Sequence, residues 1–164
     1  MRNMMQEGQR PFFVYGTLLP DQPNFVLWGK AITAMEPATF HGGQLYDMGF
    51  YPMLVPTGAE TAVTGQLITV TPNQYDAVLQ RLDALEGYDP AQPDSAEYQR
   101  QAVQVVVANG RTQTAWIYLG KTELVTHKPV IPNGDWATYA AQNQPDLQDW
   151  WEASDTVTGL HKKR

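Results

Sequence analysis

The chain has 164 residues, 43% of them hydrophobic, which is enough apolar material for one core and points to a single domain over 1–164. Its 11 basic and 17 acidic residues leave a net charge of −6 spread without blocks, so the clustered Lys and Arg of a nucleic-acid footprint are absent. Cysteine is missing, which excludes disulfides, thiolate metal sites and Cys nucleophiles and permits a reducing compartment.

Residues 1–10 are polar and lack the apolar run of a signal peptide, and no later stretch approaches the ~18 to 20 apolar residues of a membrane span. A soluble, cytoplasmic protein with no membrane partner is expected. Pro11-Phe12-Phe13-Val14-Tyr15 reads as a first buried strand that breaks into a turn at Gly16. Beyond a loop bearing Pro20 and Pro23, extended segments are expected around 31–40, 44–48 and 61–70, punctuated by Gly42-Gly43, Gly49, Pro52 and Pro56. A helix follows from Thr71, where Thr71-Pro72-Asn73-Gln74 offers an N-cap hydroxyl, a proline at the first helical position and a Gln for a capping box. Tyr75, Val78, Leu79, Leu82 and Leu85 give it one apolar stripe, and Gly87 is its stop. Strands over 98–108 and 112–119 are joined by Asn109-Gly110, a strong hairpin signal. Val103, Val105 and Val107 share one strand face, and bulky groups occupy both faces of 115–119. A sheet covered on both sides, or curled into a barrel, accounts for that pattern. A short helix is expected within 134–143, then a polar tail over 145–164 that contains Trp150 and Trp151 and ends in the basic residues His161 to Arg164.

Glu86 is the most informative residue. It lies eleven positions after Tyr75 and so, at ~100° per residue, within ~20° of it on the apolar stripe. Asp83 falls ~80° away and is expected to be solvated. Burial and the negative end of the helix both disfavour an ionised Glu86, which suits a general acid/base working near neutrality. Two plainer readings stay open: the helix frays by Leu85 and Glu86 turns to solvent, or Glu86 is buried beside a structural partner such as Arg100. Tyr15-Gly16-Thr17-Leu18 is the second constellation, because a strand ending in a glycine turn presents backbone N–H groups and a hydroxyl that can hold an anion. An ordinary turn fits it as well. His41, His127 and His161 are widely separated and none stands at metal-ligand spacing, so no metal site is expected. Serine-hydrolase elbows, P-loops and Rossmann glycine patterns are absent, and Gly42-Gly43 and Gly58 read as turns.

Taken in order, Val14-Tyr15-Gly16-Thr17-Leu18, Gln22-Pro23-Asn24, Leu82-Asp83-Ala84-Leu85-Glu86-Gly87 and Tyr98-Gln99-Arg100 resemble the gamma-glutamylcyclotransferase and AIG2-like family. Gln44-Leu45-Tyr46-Asp47-Met48-Gly49 with Tyr51-Pro52, and Gly134-Asp135-Trp136, extend the likeness over about 11–140. The resemblance implies an α+β fold: a mixed, mostly antiparallel, closed or nearly closed β-barrel with a few flanking helices. It also implies a cavity facing the Tyr-Gly-Thr-Leu turn.

By the same resemblance the chemistry is cofactor-independent cyclisation. The α-amine of a small gamma-glutamyl substrate attacks its own γ-amide carbonyl, releasing 5-oxoproline and an amine or amino acid. Glu86 is then the acid/base, and Gly16, Thr17 and Leu18 anchor the α-amino-acid end with Tyr15 lining the pocket. Tyr118 is a weaker candidate, as readily core as site, and Arg100 as readily a structural partner of an acidic residue. The 87–97 segment, with its two prolines, and the tail beyond Pro145 depart from the family pattern. A non-catalytic binding module of the same fold and a Glu-dependent amide hydrolase are the alternatives, and neither the leaving group nor the oligomeric state is readable.

Overall fold

The computed structural model describes residues 9–49, 51–58, 61–92 and 98–142, with the backbone of 156–157 and 160–161. Trp150, Trp151, most of the tail and 93–97 of the proline-bearing segment lie outside the described residues.

Five strands close a barrel in the order β1 (Phe12–Val14), β5 (Ala62–Val70), β2 (Ile32–His41), β6 (Gln99–Val107) and β7 (Thr112–Leu119). Every pairing is antiparallel except the closure, where β1 meets β7 in parallel with Phe12 opposite Trp116. The Trp116 N–H donates to the Pro11 carbonyl at 2.9 Å across that seam. The Asn109-Gly110 turn forms as expected, joining β6 and β7 in a continuous register from Gln99/Leu119 to Val106/Thr112.

The two-sided apolar character of the strands has a direct structural cause. Phe13 packs toward Phe40, with ring centroids 6.5 Å apart, while Phe12 on the opposite face stacks on Tyr75 at 5.5 Å and meets Trp28 edge-on at 5.7 Å. Tyr75 opens helix α1 (Tyr75–Glu86), so α1 covers one face of the barrel wall and residues on both faces of β1 are buried. Its buried side chains are Tyr75, Val78, Leu82, Asp83 and Glu86. Gly87 ends the helix in the left-handed conformation, φ 71°, its N–H and that of Tyr88 returning to carbonyls of the last turn.

Three local readings are corrected. Thr71 makes no capping hydrogen bond to the helix; its hydroxyl contacts the Asn73 side chain instead, and Pro72–Gln74 form a 3₁₀ turn before α1. Gly43 is no turn residue but opens β3 (Gly43–Asp47), packed so closely that an added Cβ would lie 2.5 Å from Leu54. Asp83 is buried, not solvated, for reasons that belong to the site.

The hairpin of β3 with β4 (Pro52–Pro56) forms a separate two-stranded sheet packed on the barrel, its Leu45, Met53 and Leu54 buried in the common core, and the Gly120 N–H just after β7 donates to the Leu54 carbonyl at 2.8 Å. The proline at each end gives β4 the pattern of loop punctuation in the sequence, yet the segment between them is a strand. The last described helix, α2 (Trp136–Gln142), is held by the Trp136 indole N–H donating to Gln22 Oε1 at 2.9 Å. That contact joins the Gln22-Pro23-Asn24 motif to the Gly134-Asp135-Trp136 motif. In the tail, residues 156–157 and 160–161 form a two-stranded pair, β8 (Thr156–Val157) with β9 (Leu160–His161).

Candidate active site

β1 ends at Val14 and the chain turns at once. The Leu19 N–H donates to the Gly16 carbonyl at 3.0 Å, the Asn24 N–H to Thr17 O at 2.9 Å and the Trp28 indole N–H to Leu18 O at 3.0 Å. Three successive carbonyls are thereby engaged, and the peptide planes of the turn are fixed. Asn24, fully buried, also donates from Nδ2 to Thr17 Oγ1 at 2.9 Å. Gly16 is required by packing, since a Cβ on it would lie 2.6 Å from Pro52 Cγ at the start of β4.

Beside this turn lies a pocket that is partly open to solvent. Phe13 through Leu18 form one wall, Tyr51 and Pro52 a second, and Glu86, Tyr98 and Tyr118 the remainder. The chain thus brings Tyr15, Gly16, Thr17, Leu18, Glu86 and Tyr118 together around one space, although they come from the turn after β1, from α1 and from β7.

Glu86, the last residue of α1, is 7% exposed. Burial, and after it the charge of Asp83, pushes its carboxyl from an ordinary 4.5 up to about 8. The negative end of the helix acts in the same direction. Arg100 does not relieve it, because Arg100 pairs with Asp83: Nε lies 2.9 Å from Oδ1 and Nη2 3.3 Å from Oδ2. Asp83 also accepts the Tyr118 hydroxyl at 2.6 Å. These two partners reach down from β6 and β7, which is why a residue at the edge of the helical stripe is buried.

The tyrosines divide by role in the framework. The buried Tyr15 hydroxyl donates to the Tyr118 carbonyl at 2.6 Å. Burial, then the Glu86 charge, holds it well above a phenol's ordinary value, against a backbone hydrogen bond from Leu54. Tyr15 is therefore a fixed ring face. Burial and the Asp83 charge likewise raise Tyr118. Tyr98, whose hydroxyl donates to the Pro52 carbonyl at 3.0 Å, keeps the hairpin against the pocket. Sequence reasoning missed Asn24, Tyr51 and Tyr98 as site-builders. Asn24 and Tyr98 stood in motifs that were noticed, but nothing in their spacing discloses a partner seven or 46 residues away.

The architecture is a small closed five-stranded barrel in an α+β domain, with the carboxyl of Glu86 lining a pocket beside the 15–18 turn. The family model described as "Gamma-glutamyl cyclotransferase, AIG2-like" matches residues 12–138, and the chain belongs to that family. No curated protein matches it. Among solved structures it is similar to YkqA from Bacillus subtilis (22% identity, TM-score 0.61), covering 83% of this chain and 42% of that one. It thus spans less than half the length of YkqA. It is also similar to an AIG2-like protein (ggact) from Mus musculus (25% identity, TM-score 0.55, 77% of this chain and 93% of that one). A third likeness, to PH0828 from Pyrococcus horikoshii (18% identity, TM-score 0.52), covers 83% of this chain and 97% of that one. Among the described residues no helix is long and apolar enough to cross a membrane.

Proposed function

We propose that this chain is a cyclotransferase that cleaves a gamma-glutamyl amide by attack of the substrate's own α-amine, giving 5-oxoproline and a free amine or amino acid. The observation that carries this reading is a buried carboxyl, Glu86, with its proton affinity raised to about 8, in the same pocket as a backbone turn able to hold the substrate's α-carboxylate.

The chemistry needs two protons moved from the α-nitrogen to the leaving nitrogen, one before attack and one as the ring forms. An α-amine has a pKa of about 8, so Glu86 and the bound amine compete for a proton on nearly equal terms, and transfer between them is close to thermoneutral. Glu86 takes the proton from the α-ammonium, and the freed amine forms a bond to the γ-amide carbonyl carbon. As the carbonyl re-forms, the bond from that carbon to the leaving nitrogen breaks and Glu86 returns the proton to that nitrogen; the carboxylate then takes the second proton from the new ring nitrogen and passes it to the departing amine. We assign the backbone N–H groups of 16–18, in a turn whose carbonyls are already engaged, to the α-carboxylate, which would hold the substrate folded, an orientation effect able to contribute ~7 to 11 kcal/mol. The reaction draws on no cofactor, and we assign it to a single domain in the cytoplasm.

The test is incubation of the protein and its Glu86→Gln variant with a panel of gamma-glutamyl amino acids and amines, with 5-oxoproline scored by mass spectrometry. Release by the parent and a loss of roughly 10² to 10⁴-fold in the variant are expected. Glutamate in place of 5-oxoproline would make the protein an amide hydrolase, and ligand binding without either product would make it a binding module.

A further inference from the structure

Asp83 stands three residues before Glu86 on α1 and is not part of the pocket wall, yet it holds a residue that is. Its Oδ1 accepts two hydrogen bonds, from the Tyr118 hydroxyl at 2.6 Å and from Arg100 Nε at 2.9 Å, while Oδ2 faces Arg100 Nη2 at 3.3 Å. The Asp83 and Arg100 side chains are only 11% and 12% exposed. The guanidinium is clamped in turn, 4.6 Å over the Trp116 ring and 5.4 Å over that of Tyr88.

This network has only one polarity. A guanidinium donates and never accepts, and a phenol has a single proton. With Asp83 as the shared acceptor, the Tyr118 proton is committed to Asp83, and only the oxygen's lone pair remains for the pocket. The far end of the residue is pinned too, because the Tyr118 carbonyl accepts the Tyr15 hydroxyl at 2.6 Å. Tyr118 cannot leave the wall without breaking one of these bonds.

We infer that Asp83, held by Arg100, is a positioning residue that fixes the Tyr118 hydroxyl as a hydrogen-bond acceptor toward the pocket, where it selects a substrate presenting an N–H donor, the α-amine. The inference rests on the cyclotransferase reading and adds to it the group that recognises the nucleophile. A ligand without a donor at that place meets a lone pair it cannot use, and the discrimination originates in a carboxylate outside the pocket wall.

The experiment is calorimetric binding in a Glu86→Gln background, which prevents turnover, using γ-L-glutamyl methylamide and its des-amino counterpart, glutaric monomethylamide. The amino compound is expected to bind about tenfold or more tightly than the des-amino one, as befits a hydrogen bond from a charged donor. Tyr118→Phe is expected to erase most of that ratio, Asp83→Ala to erase it similarly, and the combination to lose no more than Tyr118→Phe alone. Asp83→Asn, which keeps an oxygen acceptor in place of Oδ1, is expected to retain it. Equal weakening of both compounds, or losses that multiply in the combined variant, would mean a merely structural role and overturn the inference. Tyr118→Phe leaves the Asp83 and Arg100 pair intact, so an unchanged ratio in that variant overturns it even where Asp83→Ala does not fold. Binding of neither compound by the Glu86→Gln protein would overturn the cyclotransferase reading and the inference with it.

Discussion

Two carboxylates one turn apart at the end of α1 are both buried, yet they live in opposite electrostatic surroundings. On the barrel side Asp83 has a bidentate guanidinium and a phenol, partners that offset the loss of water. On the pocket side Glu86 has burial and a neighbouring negative charge, and holds its proton up to about 8. The contrast teaches that the opposing strands decide both whether an acid off the apolar stripe is buried and whether a buried acid is paired or keeps its proton. Arg100 makes that choice by pairing with Asp83.

Breaking the anchored side should have the largest effect on stability. Asp83→Ala leaves the Arg100 guanidinium buried without its counter-ion, and we expect a loss of about 4 kcal/mol, read as a lower urea midpoint at unchanged slope. A loss under ~1 kcal/mol would mean that stacking on Trp116 and Tyr88 alone satisfies the guanidinium. On the pocket side the sign reverses. Glu86 has a folded pKa above its unfolded value, so between 4.5 and about 8 the folded state keeps a proton that the unfolded state gives up, and stability falls as pH rises through that window. Glu86→Gln removes this dependence. It should therefore be the more stable protein by roughly 3 kcal/mol at pH 7, with the difference vanishing below about pH 4.5. Equal melting temperatures for parent and variant at pH 8 would remove burial as the cause of the shift. The smallest effect is expected at Gly16→Ala, whose methyl must push Pro52 aside at a cost of ~1 to 3 kcal/mol. Because Pro52 also bounds the pocket, KM should rise before kcat falls, which steady-state kinetics on any active panel substrate would resolve.

The same division governs what was legible in the sequence. The apolar stripe of α1, its Gly87 stop, the Asn109-Gly110 hairpin and the two-faced strands are local patterns that narrow the fold to a two-sided sheet or a barrel and put Glu86 on the stripe; the family resemblance adds the closed barrel. Asp83 was misplaced because angular position on a helix says nothing about Arg100 and Tyr118, which arrive from strands 17 and 35 residues on. β4 was hidden by Pro52 and Pro56, which interrupt a sheet interior but fit the ends of a strand that pairs on one side only with β3. The capping box failed for a different reason: Pro72 starts a tighter 3₁₀ turn, and the Thr71 hydroxyl contacts Asn73 instead. The pocket is a product of closure, since Tyr15, Glu86 and Tyr118 meet only once β1 seals against β7 and α1 packs across the seam.

The most direct measurement is a carbon NMR titration of the protein labelled at the glutamate carboxyl carbons, with the Glu86 resonance assigned by its loss in Glu86→Gln. A midpoint near 8 that moves down in Asp83→Asn, where the neighbouring charge is gone, is the expected result. A midpoint in the ordinary range near 4 to 5 would contradict the poised-acid reading of the site, because Glu86 would then reach neutral pH as a solvated anion.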